Sequence, residues 1–309
     1  MNYFKLFALI LLVSLCRTAT ASPPPEEHYS AIDKALSKAI LAKDKSVALR
    51  LLNAGTNPNI TYSERELEGV DEFVIRKHPI LFYAVGWTPQ MPYCYGQVMR
   101  RSRRIVDVDS AVVKKLLDVG AGKALKPEQW EVLLRFAVRY APTEVATLLL
   151  SDYQQHYKTD YSYLLAAAAE SLRADNAKVL LPYHVNVNIR NDEGETPLIT
   201  VEHSPLIFAE DSARKLDTTR LLLNAHADIN AQDKTGMSAL MWAVIQRQTE
   251  IVRLLLEYGA DPLLKEKGNA ILLLGSRSVS MIRETEKGRT ALDFAAGCDP
   301  ILNILRQNK

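Results

Sequence analysis

The densest cluster of reactive side chains is a run of four arginines within five residues: Arg100, Arg101, Arg103 and Arg104. Guanidinium groups bind carboxylates and phosphates through paired hydrogen bonds, and Tyr93 and Tyr95 lie close enough in sequence to add stacking area. The alternative is a solvated loop whose charge is balanced by Asp107 and Asp109. The run is therefore a candidate site for binding a partner, without a catalytic role.

The six histidines do not form a pattern typical of metal binding or catalysis. The sequence has no His-Glu-x-x-His, no Cys-x-x-Cys and no Gly-x-Ser-x-Gly. The segment from Gly120 to Lys123 lacks the first glycine and the following Ser or Thr of a phosphate-binding loop, and it fits a turn instead. We therefore predict no catalytic residues, no metal and no cofactor.

Length and composition predict a large folded protein without a nucleic-acid partner. The 309 residues are 48% apolar and 24% charged, which is ample for a core. The 38 basic and 36 acidic residues leave a net charge of +2, and Lys5 and Arg17, in the first 21 residues, account for this surplus. A chain that is otherwise neutral lacks the positive field on which nucleic-acid binding depends.

Residues 1–21 have the pattern of a secretory signal peptide. Lys5 precedes a mostly apolar run from Leu6 to Cys16, and Ala19-Thr20-Ala21 supplies the small residues of a cleavage site. We therefore expect export, and the short leader favours a bacterial periplasm, with secretion as the alternative.

Two other interpretations of the leader are weaker. A membrane-spanning helix needs about 20 apolar residues, and Arg17 ends this run earlier. A lipid anchor at Cys16 would want a small residue before it, where Leu15 stands. We expect no membrane insertion after cleavage, and a proline-rich spacer over residues 22–29.

A repeated helical pattern occupies the rest of the chain. Residues 236–261 read as two short apolar helices separated by a polar turn, and Gly259 follows the second helix, where a left-handed cap suits glycine. The entry Gly194-Glu195-Thr196-Pro197-Leu198 and the entry Gly288-Arg289-Thr290-Ala291-Leu292 repeat the same marks. Equivalent first-helix leucines are Leu36, Leu81, Leu134, Leu165, Leu198, Leu240 and Leu292.

These marks resemble those of the ankyrin repeat, whose period is about 33 residues. The leucine spacings of 45, 53, 31, 33, 42 and 52 then imply four insertions, one of them between the helices of the second repeat. The resemblance implies an all-α, helix-turn-helix repeat solenoid over residues 30–309. Its roughly seven repeats cover approximately residues 30–59, 76–122, 126–153, 159–188, 192–230, 233–262 and 286–309.

The resemblance also implies protein binding through a concave face built from first helices and turn tips. The residues predicted at this face are Trp87, Arg139, Tyr140, Lys234, Met237 and Gln246, in addition to the four arginines. Trp87, Arg139 and Tyr140 are equally compatible with packing between repeats. Core packing is favoured for a second aromatic series, Tyr83, Phe136, Trp242 and Phe294.

The two cysteines outside the leader are not expected to form a disulfide. Cys94 belongs to the second repeat and Cys298 to the seventh, and stacked repeats hold them much farther apart than the roughly 7 Å limit between Cα atoms.

The sequence favours an exported, non-catalytic module that binds another protein. It could protect or inhibit a periplasmic partner, as an enzyme chaperone or as a toxin-immunity protein. The alternatives are a secreted effector that binds a host protein and an enzyme whose site uses His78, His203 or the arginines of the insertion.

Overall fold

The computed structural model describes residues 30–68, 72–86, 108–157, 159–204, 210–267 and 288–307, with the backbone alone for residues 63–77. The predicted signal peptide and spacer lie outside these residues. The first half contains α1 (Ala31–Leu41), α2 (Lys45–Asn53), β1 (Thr61–Glu68), β2 (Glu72–Pro79), α3 (Ile80–Ala84), α4 (Ser110–Asp118), α5 (Pro127–Tyr140) and α6 (Thr143–His156). The second half contains α7 (Ser162–Glu170), α8 (Ala174–Leu180), α9 (Pro197–His203), α10 (Asp211–Asn224), α11 (Ala239–Ile245), α12 (Thr249–Glu257), α13 (Ala291–Phe294) and α14 (Asp299–Gln307).

Capping side chains mark where several of these helices begin. The hydroxyl of Ser30 accepts a hydrogen bond from the Asp33 amide at the start of α1, and Ser238 does the same for Met241 at the start of α11. Thr196 caps α9 directly before Pro197, whose missing amide hydrogen costs nothing in the first turn. Local sequence therefore fixes the starts of these three helices.

A left-handed residue follows most of the second helices. Gly259, with φ of 90°, has this role after α12. His184 and His226 occupy the equivalent places after α8 and α10, with φ of 54° and 61°. Because L residues disfavour this region, their occurrence at one register shows that the turn is imposed by the repeat.

In the described residues, consecutive helices pack against each other in pairs, from α1–α2 to α13–α14. Within the second half, first helices pack in the order α7, α9, α11 and α13, and second helices pack in the order α8, α10, α12 and α14. No pair buries its apolar face alone, so each depends on its neighbours.

The predicted anchor leucines lie in the core between these layers. Six of the seven are buried, at 0 or 1% exposure, and Leu292 in the last pair is partly buried. Tyr83, Phe136 and Trp242 are buried as predicted, and Phe294 is partly buried.

A β-hairpin corrects the all-α prediction: the chain is mostly helical instead. Strands β1 and β2 pair antiparallel between α2 and α3, with Thr61 opposite Pro79 and Glu68 opposite Glu72. Glu64, Glu66 and Glu68 stand at alternate positions of β1, and Phe73-Val74-Ile75 gives β2 a β-favouring run. The hairpin accounts for the first predicted insertion.

The structure shows between which elements the other three predicted insertions fall. The second lies between α3 and α4, as predicted, and residues 87–107 within it are outside the described residues. The third lengthens the connection between α9 and α10. The fourth falls between Lys267 and Gly288, where the Glu266 amide donates to the Arg289 carbonyl and draws its two ends together.

Within the part of the chain that the structure describes, no helix combines the length and apolarity needed to cross a membrane. The side chain of Cys298 is partly buried. Cys94 lies outside the described residues, so the absence of a disulfide between the two stays a prediction.

Candidate binding groove

An open groove of about 600 Å³ runs over α7, between the first helices on either side of it. Tyr163, Ala166, Ala167 and Glu170 line it from α7, at the i, i+3, i+4 and i+7 spacing that places residues on one helix face. Because alanine has a short side chain, Ala166 and Ala167 form the floor of the groove. Larger side chains on the neighbouring elements therefore form the walls.

One wall of the groove comes from α5. Arg135 and Arg139 lie one helical turn apart and both face the groove. The guanidinium of Arg135 lies 5.6 Å from the Tyr163 ring centroid, within cation–π range. Arg139 forms an ion pair with Glu170 across the two helices, and its side chain is only 16% exposed.

The turn before α9 forms the opposite wall. The amides of Glu193 and Glu195 donate to the Asn191 side-chain oxygen, which closes the turn around Gly194. Arg190 donates from Nη1 to the carbonyls of Gly194 and Gln232, at 2.6 and 2.7 Å. Because Gln232 belongs to the next turn along the stack, Arg190 holds neighbouring turns in register.

Glu195 and His203 form a polar pair at the α9 end of the groove. The distance from His203 Nδ1 to Glu195 Oε1 is 2.5 Å, and the imidazole stacks on Trp242 with 4.0 Å between ring centroids. Burial raises the pKa of Glu195, but hydrogen bonds from His203 and Asn191 outweigh it, so the pKa lies below its ordinary value. Glu195 therefore stays ionised and orients a half-exposed imidazole.

The lowered pKa of Glu195 predicts a pH-dependent stabilisation. As pH falls, the unfolded chain takes up the proton first, so the contribution is complete above the ordinary value of 4.5 and is lost through the folded-state pKa. Glu195→Gln should cost about 1 kcal/mol at neutral pH and less in acid. Urea unfolding at several pH values measures this difference. Glu193→Gln, on the same turn, is the control, and a pH-independent cost at Glu195 would contradict the assignment.

A buried ionic network supports the groove from below. Lys215 of α10 is fully buried and donates to the carbonyls of Glu202 and Ser204 and to Gln246 Oε1, at 2.8, 2.9 and 3.1 Å. Its ammonium lies 3.6 Å from Glu202 Oε2, and Thr219 donates to Glu202 Oε1. Burial raises the pKa of Glu202, although Lys215 and Thr219 oppose this.

The structure distributes the predicted binding residues over different environments. Arg139 and Tyr140 line the groove, although Tyr140 is buried against Phe136 and is only 5% exposed. Lys234 is exposed on the next turn and does not line the groove. The arginine cluster and Trp87 lie outside the described residues, and their roles stay predictions.

One predicted contact, Met237, is corrected, and a second, Gln246, also has a role within the fold and stays a prediction as a partner contact. Met237 is fully buried because its amide donates to Asp233 Oδ1 and its carbonyl accepts from the Asp233 amide, which closes the turn. Its side chain thus joins the core and is not presented to a partner. Gln246 donates to the carbonyls of Glu202 and His203, so its amide is used between helix pairs.

Sequence reasoning did not select Arg135, Arg190 or Lys215. The arginines lie outside the short stretch after each small-residue pair that the repeat pattern highlights. Lys215 follows the third insertion, so the repeat pattern does not assign it a position within its repeat. The described residues contain no group of three metal-binding side chains.

Comparison with known families identifies the repeat type. A family model described as ankyrin repeats (3 copies) matches residues 164–266 and residues 206–309. Together the two matches extend from α7 to the last helix pair. No curated protein matches the chain. Residues 164–309 therefore carry ankyrin repeats, which are typically non-catalytic protein-binding modules.

Proposed function

We propose that this protein is an exported, non-catalytic module that binds another protein in the groove over α7. The groove itself carries the proposal: three first helices and a turn surround an accessible floor of small residues. The rim adds guanidinium, carboxylate and imidazole groups that can form directional contacts with a partner. The ankyrin repeats support the same conclusion, since they imply a protein partner.

The N-terminal pairs extend this module under the proposal. The pairs α1–α2, α3–α4 and α5–α6 pack on one another and on α7–α8, and their buried leucines continue the register of the matched region. Seven ankyrin repeats with four insertions are therefore our interpretation of the whole stack.

The leader supports a periplasmic location, with secretion as the alternative. In the periplasm, the module would protect or inhibit its partner, as an enzyme chaperone or a toxin-immunity protein. A secreted form would act as an effector on a host protein. Immunodetection in periplasmic extract and culture medium distinguishes the two locations.

Affinity capture tests the binding proposal. The processed protein is used as bait in periplasmic extract, beside Ala166→Trp, which fills the groove, and Lys178→Trp, a matched change on the exposed face of α8. We expect mass spectrometry to identify a partner retained by the wild type and Lys178→Trp and lost by Ala166→Trp.

Replacement of the four arginines by alanine tests the other predicted surface. A partner lost only by this variant moves the site to the second insertion. No specific partner in either fraction contradicts the proposal.

A further inference from the structure

The groove has the size of a site for a short segment. Its volume of about 600 Å³ lies within the range of roughly 300–1,000 Å³ that is typical of ligand pockets. Ala166 and Ile189 give it an apolar surface, and both are only partly buried. A few side chains of a partner can therefore enter it.

Three arginines and three glutamates line the groove, but they are not equally available. Glu170 is paired with Arg139. Glu195 accepts hydrogen bonds from Asn191 and Thr200 and pairs with His203. Two of the three carboxylates are thus already satisfied by the chain, and Glu193 is the third.

Two of the three guanidinium groups remain available. Arg190 is exposed, and its described acceptors are neutral carbonyls, which leave its charge uncompensated. Arg135 pairs with Glu131 on its own helix, and both side chains are about half exposed. Such exposed pairs contribute little to stability, so a ligand can replace Glu131 at little cost. Among the side chains that line the groove, the two available guanidinium groups of Arg135 and Arg190 therefore outnumber the one carboxylate without a partner among the described residues, that of Glu193.

We propose that the groove accepts a short acidic segment of the partner protein. Its carboxylates pair with Arg135 and Arg190, and its aliphatic side chains pack on Ala166 and Ile189. The inference rests on the proposed function and adds the chemistry of the partner. Guanidinium groups favour it because they bind carboxylates through paired, charge-assisted hydrogen bonds.

Peptide selection tests this inference while the partner is unidentified. A random heptapeptide library displayed on phage is panned against the processed protein. Asp and Glu should be enriched at least about twofold in the selected peptides. Arg135→Glu/Arg190→Glu should weaken binding of the most enriched peptide about tenfold or more, because like charges then face each other.

Two further variants make the test specific. Arg135→Gln/Arg190→Gln removes the charges without reversal and should give a smaller loss. Lys178→Glu/Arg253→Glu reverses two exposed cations on α8 and α12, away from the groove lining, and should leave binding unchanged.

Two results would overturn the inference in different ways. If the selected peptides fail to bind Ala166→Trp but carry no excess of acidic residues, the acidic chemistry of the ligand is contradicted. The proposal that the groove binds a protein then still stands. Selection that yields no peptide dependent on the groove contradicts both proposals.

Discussion

Replacement of Lys215 by methionine should destabilise the protein by about 3–5 kcal/mol, since it leaves the Glu202 carboxylate without its countercharge in the core. Both side chains have 0% exposure, so water cannot replace the ammonium. The substitution also removes the donor to the Ser204 carbonyl and one donor to Gln246. Urea unfolding at neutral pH measures the loss.

The loss should depend on pH with a defined sign. Without Lys215, the pKa of Glu202 rises further above its ordinary value of 4.5, so the folded variant binds a proton that the unfolded chain releases. Stability of Lys215→Met then falls as pH rises from the ordinary value through the folded-state pKa. The difference from wild type is therefore smaller in mild acid.

A second substitution at Glu202 separates the ion pair from simple packing. Lys215→Met/Glu202→Gln removes both charges and keeps an acceptor for Thr219, so it should be more stable than Lys215→Met alone. Lys178→Met, at an exposed lysine, should change stability by less than about 0.5 kcal/mol. A double variant no more stable than the single one contradicts the assigned ionic role.

The helix pairs were predictable because their signals are local. Leu240 and Leu255 follow the helical period within one repeat, and Gly259 satisfies a backbone angle that its own turn demands. These features do not depend on distant residues. The ankyrin match from residue 164 confirms the repeat type in the second half.

Parts of the groove were not predictable, because tertiary packing decides them. Arg190 acts through the carbonyl of Gln232, 42 residues away, and Lys215 through Gln246, 31 residues away. Met237 occupies a turn position where exposure was expected, and the hydrogen bonds to Asp233 turn it inward. A repeat pattern gives the position of such residues along the stack but not their partners.

Truncation of Leu255 to alanine should cost about 2–5 kcal/mol, because it leaves a cavity in a core that is shared between helix pairs. Leu255 has 0% exposure on α12, and this helix packs on both α10 and α14. The matched control is Leu263→Ala. It is the same leucine-to-alanine change outside the core, because Leu263 is 53% exposed. Urea unfolding should show little change for the control.

The location of the weakening distinguishes a stack from a single shared core. In a stack of nearest neighbours, the loss at α12 lowers the free energy of local opening in α10, α12 and α14 more than in α1 and α2. Hydrogen exchange should therefore accelerate most in the three helices around the cavity. Equally accelerated hydrogen exchange in α1 and α2 would show that the helix pairs unfold as one cooperative unit. Binding in the groove would then stabilise all of the pairs together.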